Sequence, residues 1–108
     1  MTTEMKTENK QWDETRDLVD KVTRNIKDGK KDEAKTLIGD FAKSGSLGYF
    51  TAHLLKRVGE HRSAAVKGFE AGTPRDIARE MYEMLAQELE QAGRTEDAQI
   101  YRNGSTYL

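Results

Sequence analysis

At 108 residues the chain is long enough for one hydrophobic core and too short for two. Only 35% of the residues are hydrophobic, 34% are charged and the formal net charge is −1, so the molecule as a whole lacks the positive field that marks nucleic-acid or anionic-lipid binding. With no cysteine, disulfides, thiolate metal sites and a cysteine nucleophile are excluded, and the expected compartment is the reducing cytoplasm.

Residues 1–10, MTTEMKTENK, are polar and lack the apolar run of a signal peptide. They are expected to form a flexible N-terminal tail. No apolar stretch approaches the roughly 20 residues of a membrane span. From Trp12 onward every long segment carries helical periodicity, and runs of alternating β-branched residues are absent. Trp12, Thr15, Val19, Val22 and Ile26 fall on one helical face up to Gly29, a residue suited to the left-handed position that closes a helix. Asp32 is a candidate cap for a second helix bearing Ala34, Leu37, Ile38 and Phe41, which Ser44, Gly45 and Ser46 interrupt. A third helix carries Leu47, Phe50, Leu54 and Val58 and is expected to stop at Gly59; a short fourth, with Ala65 and Phe69, runs to Gly72. In Thr73-Pro74-Arg75-Asp76 the threonine can cap, the proline suits the first helical position and the aspartate can close a capping box. The fifth helix presents Ile77, Met81, Leu85, Leu89 and Ala92 and closes at Gly93. Thr95 is positioned to cap a sixth with Ala98 and Tyr101, which Asn103 and Gly104 end before a short tail, 104–108. The expectation is an all-α chain with a single helical domain over 11–103: about six helices forming three stacked antiparallel hairpins, as a regular stack or an irregular bundle.

Three bends support the hairpins. Gly29, Gly59 and Gly93 lie 30 and 34 residues apart, and an alanine follows each by five residues, Ala34, Ala64 and Ala98. Glycine tolerates the positive φ of a tight corner, and a small residue fits where the returning helix comes closest to the first. With Tyr82, Leu85, Ala86, Leu89, Gly93 and Ala98 in one unit, Ala52, Leu55, Gly59 and Ala64 in another, and Val22, Gly29, Ala34 and Ile38 in a third, the chain resembles the tetratricopeptide repeat, a helix-turn-helix unit of roughly 34 residues. Phe69 falls one place late for the pattern and Pro74 comes early. The resemblance implies a concave groove lined by the first helix of each hairpin. It would hold a protein or peptide against Tyr49, His53, Lys56 and Arg57 from one unit and Arg79, Glu83, Gln87 and Glu90 from the next.

Charge is unevenly spread along these segments. His53 to Lys67 contains Lys56, Arg57, Arg62 and Lys67 against Glu60, a local +3, whereas Asp76 to Glu90 contains five acids against Arg79, a local −4. Such faces can attract each other or serve as separate docking surfaces. The same basic segment, Leu54 to Phe69, also resembles a helix-turn-helix DNA-binding motif turning at Gly59, with Arg62, Ser63 and Lys67 toward DNA; Glu60 and Gly68 occupy two positions that are usually buried and apolar in that motif.

Chemistry has no clear seat. His53 and His61 are the only histidines, and their spacing of eight does not form the helical i, i+4 metal pair. The glycines stand singly and make no phosphate loop. Ser44, Ser46 and Ser63 read as cap or turn residues. The sequence therefore points to a non-catalytic adaptor, chaperone or inhibitor without metal or cofactor, which binds another protein or self-associates; the alternative is a helix-turn-helix DNA-binding regulator using residues 51–69.

Overall fold

A computed structural model describes the backbone of residues 2–108 and the side chains from Lys10 onward. It contains five α-helices, α1 (Thr2–Lys27), α2 (Lys31–Ser44), α3 (Leu47–Val66), α4 (Arg75–Gln91) and α5 (Thr95–Tyr107), and no strand among the described residues. The first helix begins at Thr2, inside the segment expected as a tail, and the last continues through Gly104 to Tyr107. Gly104 is a contact glycine: a methyl group there would come within 3.0 Å of the Tyr82 ring, so its absence lets α5 lie close on α4.

Two of the three expected corners exist, and they share a geometry. Gly29 and Gly93 have φ of 79° and 82°. In each, the glycine amide donates three residues back (Ile26, Glu90) and the next amide donates five back (Asn25, Leu89), which satisfies carbonyls that the helix end would leave unpaired. Ala34 and Ala98 are then fully buried, as a close helix–helix approach requires. Lys30 and Arg94 occupy the positions before the new helices without side-chain caps, so Asp32 and Thr95 lie within the first turns instead of capping them.

The third corner does not form. Gly59 sits inside α3, which runs unbroken from Leu47 to Val66, and this is why the chain has five helices and not six. Apolar phase explains the difference. Across Gly93 the buried set jumps from Leu89 to Ala98, about 180° of helix rotation, and across Gly29 from Ile26 to Ala34, about 80°; neither helix could continue without turning its apolar face to water. Phe50, Leu54 and Val58 lead in phase to the half-buried His61, so continuation costs only the propensity of one glycine, about 1 kcal/mol. The helix-turn-helix expected over 51–69 is likewise absent, since no turn separates its two halves. The corner appears nine residues later at Gly68, with φ of 81°.

α2 packs against α1 and α4, α3 lies on α1, and α5 pairs with α4, whereas α3 and α4 barely touch. The core unites Val19, Val22 and Ile26 of α1 with Ile38 and Ala42 of α2, Phe50 and Leu54 of α3, and Met81, Leu85 and Leu89 of α4. Polar links hold the connections. Arg94 donates to the carbonyl of Ala42 near the end of α2 (3.1 Å). The Tyr101 hydroxyl donates to the Leu47 carbonyl (2.9 Å) and accepts from Thr51 (2.7 Å), tying α5 to the start of α3.

The segment between α3 and α4 folds back along α3. Gly72, at φ of 73°, presses against it so closely that a methyl group would lie 2.3 Å from the Arg57 carbonyl oxygen and 2.6 Å from the His61 amide nitrogen. Thr73 does not cap α4; that position is taken by Pro74, without a side-chain cap. Instead the Thr73 amide donates to the Arg57 carbonyl (3.0 Å). Its buried hydroxyl pairs with Thr23 of α1 at 2.9 Å, and Thr23 donates in turn to the Val19 carbonyl. The capping residue was diverted to a tertiary contact.

Candidate interaction surface

The residues expected to line one groove reach toward two different helices. On α3, His53 is almost wholly buried, its Nε2–H donating to the Trp12 carbonyl at 2.9 Å, with its ring 3.8 Å from the Trp12 ring. Tyr49 meets the same indole edge-on at 5.1 Å. Arg57 binds Asp20 of α1 at 2.7 Å and Glu60 at 3.0 Å. On α4, Arg79 donates to the Ser105 carbonyl (3.2 Å) and Glu90 pairs with Arg102, both partners on α5. Glu83 and Gln87 are exposed on α4, and Lys56 is exposed on α3. Five of the eight residues thus engage the bundle itself.

Burial lowers the His53 pKa below its ordinary value; the hydrogen bond to Trp12 opposes this, while Arg16, Arg57 and Lys56 add to it. His53 is therefore a neutral structural imidazole at neutral pH. Burial also raises the pKa of Tyr82 and Tyr101, whose rings meet edge-to-face at 5.2 Å. No group of three or more metal-ligating side chains gathers among the described residues, and none of their buried side-chain polar atoms lacks a partner. No helix among them is long and apolar enough to cross a membrane.

A groove of about 360 Å³ between α1 and α2 is lined by Leu18, Leu37 and Phe41 together with Glu14 and Asp40. A cleft of about 300 Å³ is lined by Arg24, Lys27, Arg57, Gly72 and Thr73. Asp20 also lines that cleft and, with Glu60, neutralises Arg57, while Lys27 reaches the Gly72 carbonyl (3.3 Å). Of its three cations, Arg57 is neutralised within the fold and Lys27 is tied to a carbonyl, whereas Arg24 is exposed.

The outer side of α3 carries a further exposed surface. On the side opposite Phe50, Leu54 and Val58 the helix carries Gly48, Ala52, Leu55, Gly59, Ser63 and Val66, spaced by three, four or seven residues and hence in line. The stripe is glycine, alanine and serine apart from half-exposed Leu55 and from Val66, which is 89% exposed. Lys56 and Arg62 lie on its two flanks, each about 60° from Gly59. Phe69, just past the helix end, is 66% exposed. A methyl group at Gly48 or Gly59 would meet no atom within 4 Å, so the fold's own packing does not require either glycine. Among the described residues, α3 is covered on the side of α1 and the core. Sequence reasoning used Ala52, Leu55 and Gly59 to build a hairpin and missed that the same residues, on an unbroken helix, form an outward stripe. The clue was present in the spacing of Gly48, Ala52, Leu55 and Gly59, which is itself helical.

Comparison with protein-family models, with curated proteins and with solved structures finds no match.

Proposed function

We propose that this protein is a non-catalytic interaction module whose contact surface is the outward stripe of α3. One observation carries the reading: a 20-residue helix with an apolar inner face also exposes Leu55 and Val66 in register with glycines that the fold leaves open. Single exposed apolar residues are ordinary on a soluble protein, whereas an aligned row marks a docking face. The wedge of Lys56, Arg62 and Lys67 around it supplies polar rim contacts, and small residues allow close backbone approach by another helix. Capture from the native host with the unmodified chain and with Leu55→Glu/Val66→Glu tests this. Protein binding that disappears in the double variant, with unchanged melting, supports the assignment. Identical bound proteins in both captures would refute it.

A further inference from the structure

Resting on that reading, we propose that the occupant of the α3 stripe is a second copy of the same chain, packed antiparallel with Gly59 on the two-fold axis. In that arrangement residue i faces the residue whose number brings the sum to about 118. Gly59 then faces Gly59 of the second copy, so the two backbones come close at the centre. Leu55 faces Ser63 and Val66 faces Ala52, a larger side chain opposite a smaller one on either side of the central glycines. Large against small is what lets two helix surfaces interdigitate.

Charge fits the same register. Lys56 and Glu60 lie on the same flank of α3, and antiparallel pairing brings Lys56 beside Glu60 of the second copy, twice by symmetry. Glu60 already holds Arg57 at 3.0 Å, so it would be shared between the two cations. On the other flank Arg62 lies along Leu55 of the second copy, where its methylene stem covers apolar surface while its guanidinium stays in water. A parallel pair would instead set Leu55 against Leu55 and Val66 against Val66, large against large, and would put Lys56 and Glu60 of the two copies on opposite sides of the seam. The fold leaves room for this contact: the returning segment with Gly72 and Thr73 lies against Arg57 and His61, on the opposite side of α3 from Gly59.

In this register the paired part of α3, from Ala52 to Val66, runs about 21 Å. One helix pair of this length falls at the low end of interface sizes, so the dimer is expected to exchange with monomer at micromolar concentrations, not to be permanent.

The test is sedimentation equilibrium of the full chain with single-cysteine cross-linking, which is clean because the native sequence has no cysteine. The unmodified chain should show a monomer–dimer mass, and Leu55→Glu should weaken dimerisation about tenfold or more. Gly59→Cys should oxidise readily to a cross-linked dimer. Ala52→Cys alone should not, because its two copies would lie about 21 Å apart along the helix; mixed with Val66→Cys it should form the heterodimer. A chain that stays monomeric up to about 1 mM, a dimer indifferent to Leu55→Glu, or self-cross-linking of Ala52→Cys overturns the proposal. Binding of a different protein that needs Leu55 and Val66, by a chain that stays monomeric, would overturn the dimer and leave the α3 docking surface standing; loss of neither capture nor mass on substitution would remove both.

Discussion

Replacing Gly72 by alanine should be among the most damaging single-methyl additions this chain can receive. Two costs combine. The residue holds φ of 73°, where an L side chain pays about 1–2 kcal/mol. The added methyl would also sit 2.3 Å from a backbone carbonyl oxygen and 2.6 Å from a backbone nitrogen, neither of which can rotate away. The segment must lift, stretching the Thr73 amide bond to Arg57 and the Thr23–Thr73 hydroxyl pair, each worth about 1 kcal/mol. The total is about 3–4 kcal/mol, a large share of a stability expected within about 5–15 kcal/mol, and equivalent to a fall in Tm of roughly 10 °C or more. Gly68→Ala is the matched control: its φ is 81°, but a methyl group there meets nothing within 4 Å. It should cost only the conformational part. Urea melts of both variants followed by circular dichroism read the difference directly. If Gly72→Ala is no more destabilising than Gly68→Ala, the close approach of this segment to α3 is not what the structure depicts.

Gly59→Ala, measured at concentrations too low for self-association, should raise stability by about 0.5–1 kcal/mol, because the site is helical and open; a loss of stability would indicate a break in the helix at this point. Thr23→Val should cost about 1–3 kcal/mol by stranding the buried Thr73 hydroxyl, and adding Thr73→Val should recover most of that loss in the same urea assay. For His53 the sign follows from a folded pKa below the ordinary 6.5: the unfolded chain takes up a proton there that the folded chain resists, so stability is full above about pH 7 and falls as the pH drops through 6.5 toward the lowered folded value. His53→Gln should flatten that fall between about pH 7.5 and pH 5.5, and an unchanged slope would show that the imidazole is not held neutral by its burial.

Gly29 and Gly93 could be read as corners because two independent local signals agreed: a residue able to take positive φ, and an apolar face that changed direction across it. At Gly59 only the first signal was present, and a glycine permits a turn without compelling one. The groove residues were harder to place. His53 and Arg57 look like surface groups in a linear reading, and nothing local in the sequence shows that Trp12 and Asp20 stand opposite them on α1. Thr73 had all the attributes of a cap, yet a buried hydroxyl partner more than forty residues away claimed it.

Helical character, the two tight corners with their buried alanines, and the lack of any thiol chemistry were determined by the sequence alone, because each depends on residue type and short-range spacing. Whether α3 breaks at Gly59, which helix its polar residues serve, and which of its faces is left uncovered were decided only by tertiary packing. Those outcomes turn on what the rest of the chain places beside the helix: α1 and the core cover one side, and none of the described residues packs on the glycines of the row from Gly48 to Val66.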